Sequence, residues 1–528
     1  PFVLHAGNLY LHRYFSYETE IIERIRDSLK EDKQLRLDRM SELEKHQTMI
    51  RQLFSKHTVD ANLGMEENIN WQLIAALTSL LNNFSIITGG PGTGKTTTVA
   101  KLLAILFATN PNLRVALAAP TGKAAARMME SLKNAKSQLD IDENIQQSFE
   151  QMEASTLHRL LGYVKNSPYF RHNADNPLHY DVIIVDESSM IGVALMAKLL
   201  TAVKSDARIM LLGDKDQLAS VEAGSIFGDI CITQADCMNR VSQEMATWMQ
   251  KFDNPESFIQ KPFIANGEND NILQEHIIEL KRSHRFKSNE GIGQFSKAVI
   301  HGNLSEDLIQ AQAPQKGEYV QVCEDYQSPE QHQLMDYFTD YIQETSIAEA
   351  LNKLNHVRFL CAVRNGKYGV KSYNTLIESY LQKKGLIRPI GEFYEHQPIM
   401  ITQNDYNLGL FNGDIGIIRK DANGALKAWF EDAEKGVRPV NPAYIKSCET
   451  VYAMTIHKSQ GSEFRHVGMV LPEDENSPIL TRELIYTGIT RAKKSVVIFT
   501  SKATLLAGVA KQVERASGIT QRFMNKSL

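Results

Sequence analysis

No stretch of the chain stays apolar long enough to cross a membrane, and no charged, then apolar, then small-residue leader pattern opens it. A membrane-embedded class and a secretory leader are set aside, and a cytoplasmic protein is expected. Cysteine is scarce, with five in 528 residues. Cys231, Cys237, Cys323, Cys361 and Cys448 are scattered, the Cys231/Cys237 gap fits no common metal spacing, and no second Cys/His pair completes a site. Buried thiols in a reducing compartment are the better reading. A large charge of one sign is missing too. The net charge of −4 argues mildly against a nucleic-acid partner, although a basic groove can sit on a neutral body. Internal repeats and low-complexity segments are absent. So is an opening Met: the chain begins Pro1-Phe2-Val3, and a fragment or processed product is expected.

What is present is ordinary in bulk and informative in detail. A hydrophobic fraction of 43% and a charged fraction of 23% are those of a globular protein. The length exceeds what one hydrophobic core serves, so roughly two to four domains are expected. Residues 1–65 hold a short β element at Leu9-Tyr10-Leu11 and a charge-dense helical stretch from Glu18 to about Leu53. Ile21, Ile22, Ile25 and Leu29 recur there at helical spacing, which suits a packed face, while the charges suit a solvated one.

From Asn70 the pattern alternates. Phe84–Thr88, Arg114–Ala119, Asp181–Val185 and Arg208–Leu212 read as near-continuous apolar strands separated by helices, the pattern of a parallel sheet covered on both faces. Residues 238–278, with Pro255, Pro262 and Gly267, read as a loose connection. A second αβ block starts near 279, with strands at Val357–Cys361, Val467–Leu471 and Ser495–Phe499. Inside it, 390–446 changes texture: the short strands Pro398–Thr402, Gly416–Ile418 and Lys427–Phe430 between Asn-Gly and Gly turns read as a small inserted β barrel.

Gly89-Gly90-Pro91-Gly92-Thr93-Gly94-Lys95-Thr96 fits G-x-x-x-x-G-K-[ST], after a strand and opening a helix. Glycines let backbone N–H groups curl around phosphate oxygens, and the helix N-terminus favours the negative charge. Lys95 is expected to reach the β and γ phosphates and Thr96 to ligate Mg²⁺, with Thr97 beside it in the same turn. Ile183-Ile184-Val185-Asp186-Glu187 supplies a carboxylate for the Mg²⁺ shell, Asp186, and one to orient and deprotonate water, Glu187. ATP hydrolysis is therefore expected. Gln217, in Gly213-Asp214-Lys215-Asp216-Gln217-Leu218, stands where a γ-phosphate sensor would, or caps a polar turn. Arg285, in Ser283-His284-Arg285-Phe286, and Arg491, in Glu483–Ala492, each lie at an element edge from which an arginine could neutralise γ-phosphate charge.

In order along the chain stand GGPGTGKT, APTGKAAAR (Ala119–Arg127), STLHRLLG (Ser155–Gly162), VDESSM, GDKDQLASVEAG, RSHRF, TIHKSQGSEF (Thr455–Phe464) and YTGITRA. This set resembles the superfamily 1 DNA helicases and, within them, the RecD branch, the α subunit of the exodeoxyribonuclease V (RecBCD) complex. The likeness covers about residues 65–500, and "APTGKAA" and "HKSQGSE" are words of its 5′-to-3′ branch.

The resemblance implies an α/β fold of two RecA-like P-loop parallel-sheet domains with an inserted SH3-like barrel and a partial N-terminal helical segment. Its domains would be 1–65, a remnant of a partner-docking domain; 66–237, the first RecA-like domain; 238–278, a connection; 279–389 with 447–528, the second; and 390–446, the barrel. Most of the docking domain is expected to be missing. Tyr163–Tyr180 lies where the family has a strand-separating pin, although an ordinary loop would look the same.

The same resemblance implies that Gln72 reads the adenine edge, and that Gly461 and Glu463 approach the nucleotide. Thr121, Lys123, Thr156, His158, Thr455, His457, Lys458 and Ser459 would touch DNA phosphates, and those residue types suit phosphate contact. Implied partners are DNA and RecB-like and RecC-like subunits. Two rival readings stand beside a helicase: a DNA-stimulated ATPase that regulates a complex, and a stand-alone helicase of the same branch. No carboxylate cluster outside the ATP site would hold the metals of a nuclease, so any nuclease centre is expected on a partner subunit.

Overall fold

Strands whose residues are apolar without alternation must be covered on both faces, and the first block shows how. The computed structural model describes residues 1–57, 60, 64, 66–220, 226–234, 238–253, 264, 272–286, 290–310, 317–405, 407–432, 436–513 and 517–524. Contacts divide the chain into two units: Pro1–His284 with Glu514–Leu528, and Arg285–Val513. Cys237, Pro255, Pro262, Gly267 and residues 221–224 of the GDKDQLASVEAG motif lie outside the described residues.

The first unit opens with an antiparallel hairpin of β1 (Phe2–His5) and β2 (Asn8–Leu11). Its main sheet contains β3 (Phe84–Thr88), β4 (Val115–Ala119), β5 (Ala154–Thr156), β6 (Val182–Val185), β7 (Arg208–Gly213) and β8 (Ile277–Glu279), in the order β5-β4-β6-β7-β3-β8 and parallel throughout. Successive side chains face opposite ways, so neighbours in sequence enter different cores. Ile87, Ile184 and Met210 pack under the helices Trp71–Leu81 and Lys95–Thr109. Ile86, Ile183 and Ile209 pack on the other face with Ile21, Ile22 and Ile25.

Those three isoleucines settle the N-terminal segment. They lie on the helix His12–Lys45 and are fully buried, so the charged residues form only its outer side. At the N-terminal end of β3, Asp32 accepts the backbone N–H of Asn83, and Arg39 donates to Leu81 O and Asn83 Oδ1, both at 2.6 Å. Burial pushes Asp32 up to about 6. The long helix of residues 1–65 is thus part of the first unit's core.

Two further boundaries move. Within 238–278 the helix Gln243–Met249 is capped by Ser242 and buries Met245, Ala246, Trp248 and Met249, and β8 starts at Ile277 as an edge strand of the sheet. At the other end of the chain, Arg522 is buried against Glu18 and over the Phe15 ring at 4.1 Å, so this segment belongs to the first unit and not to the second block. Long-range packing decides both, and it leaves no local pattern. Trp248 stacks edge-on with Phe252 at 4.8 Å and donates to Glu44 Oε1 at 2.9 Å. Trp248→Ala is expected to destabilise the first unit by about 3–5 kcal/mol, read as an earlier urea unfolding midpoint.

The second unit has its own parallel sheet of β9 (Tyr319–Cys323), β10 (Val357–Cys361), β16 (Ala453–Thr455), β17 (Phe464–Val470) and β18 (Ala492–Phe499), in the order β16-β10-β17-β18-β9. Residues 398–450 form a separate antiparallel sheet, β14-β13-β12-β11-β15, from β11 (Pro398–Ile401), β12 (Ile415–Lys420), β13 (Leu426–Asp432), β14 (Gly436–Val440) and β15 (Cys448–Thr450). Its core is Ile399, Ile401, Leu410, Ile418, Ala428, Phe430 and Val440. It extends past the expected boundary at 446, because β15 completes it by pairing with β11. Among the described residues no ladder joins β14 to β15, and no helix is long and apolar enough to cross a membrane. Cys231, Cys323 and Cys361 are buried, and Cys448 is half-buried.

Candidate functional site

Register brings the first group together. Thr88 on β3 pairs with Gly213 on β7, and Leu211 on β7 pairs with Val185 on β6, so the loops that follow these strands leave the same edge of the sheet. The loop after β3 is Gly89–Gly94. Gly92 and Gly94 take φ of +78° and +88°, where a Cβ would be strained. Lys95 begins the helix, and its ammonium is held by the carbonyls of Gly89 and, at 3.3 Å, Gly90. Thr93 Oγ1 also donates to Gly90 O at 2.9 Å, which keeps the loop curled. Thr96 and Thr97 follow in the first helical turn, both half-buried. Gln72 reaches this loop from the helix Trp71–Leu81, its Nε2 donating to Thr93 O at 3.2 Å.

Asp186 and Glu187 follow β6. Burial first, and the charge of Glu187 next, hold the Asp186 carboxyl above the usual range, against the pull of Lys95 and Arg127. Two neighbouring carboxylates and the hydroxyl of Thr96 are hard oxygen donors of the kind that suit a divalent cation. Among the described residues no group of three or more His, Cys, Asp or Glu could hold a metal. A Mg²⁺ ion here would therefore draw most of its ligands from phosphates and water. Glu187 has φ +51°, ψ +38°, a left-handed conformation unusual for a non-glycine residue. Gln217, after β7, is 5% exposed and donates from Nε2 to Asp214 Oδ2 at 2.9 Å. Among the described residues its buried Oε1 has no hydrogen-bond partner, which leaves an acceptor for a water.

The phosphate-contact candidates of the first unit stand on the loops after β4 and β5, whose ends meet at Ala119 and Thr156. Thr121 caps the helix Gly122–Lys136 by accepting the Ala124 N–H at 3.2 Å, and Thr156 caps Leu157–Leu160 by accepting the Arg159 N–H at 3.3 Å. Lys123 is half-buried and His158 exposed. The stretch that follows is a hairpin in its first half. Tyr163 bridges Phe170, Arg171 N–H donates to Gly162 O at 3.0 Å, and Tyr169, next to that bridge, is 74% exposed. Its base is anchored by Lys198, which donates to Pro168 O at 2.6 Å and sits 5.5 Å over the Phe170 ring.

In the second unit the segment Thr455–Glu463 joins the end of β16 to the start of β17, and Arg491 directly precedes β18. Arg285 and, at 3.2 Å, Lys493 both pair with Glu463. Arg491 is 3% exposed and donates to Thr487 O at 3.2 Å and Ser462 O at 3.4 Å. Gly461 takes φ +71° between these contacts. Thr455 accepts the Lys458 N–H at 3.2 Å, and His457 is half-buried, its pKa lowered by that burial. Ser459 is fully buried and donates to Ile456 O at 2.7 Å, which braces the turn.

Motif reading missed Glu449 and Arg364. Glu449 on β15 accepts Lys458 Nζ at 2.7 Å and Arg364 Nη2 at 2.6 Å. The available signal was Arg364-Asn365-Gly366 placed just after an apolar strand.

Family models for an AAA domain and a UvrD-like helicase C-terminal domain match residues 72–223 and 450–499. The chain is 36% identical to the RecBCD enzyme subunit RecD of Haemophilus influenzae, over 98% of this chain and 80% of that one. It is 36% identical to the same-named subunit of Mycolicibacterium smegmatis, over 87% of this chain and 75% of that one. The ATP-dependent RecD2 DNA helicase of Deinococcus radiodurans is 30% identical over 83% of this chain and 50% of that protein.

Proposed function

The chain belongs to the RecD family of RecBCD enzyme subunits, and on that footing we propose that it is the ATP-driven 5′-to-3′ DNA helicase of such a complex. RecB-like and RecC-like chains are its partners, DNA ends its substrate, double-strand-break repair its setting and the cytoplasm its location. The observation that carries this reading is the convergence of Lys95, Asp186, Glu187 and Gln217 on adjacent strand ends of one sheet. In the other unit, the phosphate-contact segment runs into the Glu463–Arg285 pair.

In this reading Gly89–Thr97 cradle the phosphates, Lys95 offsets their charge, and Gln72 reads the base. Mg²⁺, held by Thr96 and Asp186, would supply further charge neutralisation at the phosphates. Glu187 orients the attacking water and takes its proton, and Gln217 senses the γ-phosphate. Arg285 and Arg491 stabilise charge on the γ-phosphate, with Gly461 and Glu463 on the nucleotide side. Thr121, Lys123, Thr156 and His158 grip the DNA backbone from one unit, and Thr455, His457 and Lys458 from the other. Alternating grip converts hydrolysis into steps, independent of sequence and weakened by salt.

The antiparallel sheet serves as the family's SH3-like cover over the DNA track, and the hairpin at 163–170 as the pin that parts the strands. Tyr169→Ala is expected to lower duplex unwinding by about tenfold, the worth of one lost aromatic stack, and to leave DNA-stimulated ATP hydrolysis in place. Loss of both together would reject the pin.

The direction is tested with partial duplexes that carry a single-stranded 5′ or 3′ tail. Only the 5′-tailed substrate is expected to open. Equal opening of both would refute the polarity, and DNA-stimulated hydrolysis without opening of either would favour a regulatory ATPase.

A further inference from the structure

Gln72 and His284 are 212 positions apart, yet they meet at the phosphate loop. Gln72 Nε2 lies 3.2 Å from the Thr93 carbonyl oxygen and 3.4 Å from His284 Nε2. A carbonyl oxygen only accepts, so the amide nitrogen must be the atom that faces Thr93. That nitrogen has two hydrogens, and the imidazole stands where the second one points. The histidine is itself held by the loop: its backbone N–H donates to Gly92 O at 2.8 Å, and Ser283 Oγ donates to Pro91 O at 3.2 Å. The missing Cβ of Gly94 lets the amide approach the loop this closely. A Cβ built on Gly94 would come within 2.2 Å of Gln72 Nε2.

We propose that His284 is a positioning residue that accepts the second amide hydrogen of Gln72, so that Gln72 offers only its oxygen to the base of the nucleotide. The inference rests on the reading of Gln72 as the base contact. A lone amide oxygen is complementary to an exocyclic amino group such as that at position 6 of adenine. It repels the carbonyl oxygen that guanine carries there, because two acceptors face each other. His284 thus sets the preference of ATP over GTP without touching the base through its own polar atoms.

The ring state needed is the neutral tautomer protonated on Nδ1. Burial first, then the charges of Arg282, His57 and Lys101, lower the pKa of His284 and favour the neutral ring. If the imidazole were charged, Nε2 would become a donor facing a donor, and the amide would lose its anchor on that side.

The test compares KM and kcat for ATP and GTP, with saturating single-stranded DNA, for the unaltered chain and for Gln72→Ala, His284→Ala, His284→Gln and His284→Lys. Binding of labelled single-stranded DNA without nucleotide checks that each variant is folded. His284→Ala and His284→Lys are expected to reduce the ATP-over-GTP ratio of kcat/KM by about tenfold, roughly the value of one hydrogen bond that orients a reader. His284→Gln places an acceptor at the same reach and is expected to retain most of the ratio, which a packing role would not predict.

If Gln72→Ala abolishes the preference and His284→Ala does not, the positioning role is overturned while the reading of Gln72 stands. If Gln72→Ala leaves the preference intact, that reading fails and the positioning role with it. Equal loss in His284→Gln and His284→Ala also overturns the proposal.

Discussion

Lys95→Gln is expected to lower DNA-stimulated ATP hydrolysis by about 10²–10³-fold, and with it to stop the opening of any tailed duplex. The side chains are similar in reach, so the loop keeps its shape. What disappears is a positive charge aimed into the cradle, as its hold on the Gly89 and Gly90 carbonyls shows. A neutral amide can still donate a hydrogen bond, but it cannot offset the charge that builds on the phosphate oxygens as the bond to the leaving group breaks. Phosphate release measured at saturating DNA gives the rate, and fluorescence of a nucleotide analogue gives binding. Activity within tenfold of the unaltered chain would show that hydrolysis takes place elsewhere.

The second large effect separates binding from chemistry. Glu187→Gln is expected to leave nucleotide affinity nearly unchanged while kcat falls by about 10²–10⁴-fold, the range of a positioned general base. The amide fills the same space but cannot take a proton from water. The backbone supplies an independent check. At φ +51° Glu187 is held in a left-handed conformation that costs about 1 kcal/mol or more in a residue with a Cβ. Glu187→Gly is therefore expected to unfold at a higher temperature than Glu187→Gln, although both are inactive. Should Gly and Gln variants melt together, the strain is not stored there; should Glu187→Gln hydrolyse ATP normally, another group is the base.

Local motifs carried much of the nucleotide site. Gly92 and Gly94 are needed for their positive φ, and the strand before them and the helix after them are written in adjacent residues. Asp186 and Glu187 were readable for the same reason, since a short apolar strand must end where two carboxylates begin. The three-residue strands β5, β8 and β16 were not readable, because a ladder that short is formed by its neighbour and not by its own propensity. The burial of Ser459 was not readable either, because its residue type suits a phosphate as well as a turn.

By itself the sequence determined the nucleotide chemistry, the alternation of strands and helices, and the family, since each rests on residues close together or on an ordered set of words. Tertiary structure alone decided that the N-terminal helix and the C-terminal Arg522 share one core, that Arg285 is paired with Glu463, and that His284 meets Gln72. Such contacts join residues far apart in the chain, and their energy depends on burial and on distances of a few ångströms, which no local spacing encodes.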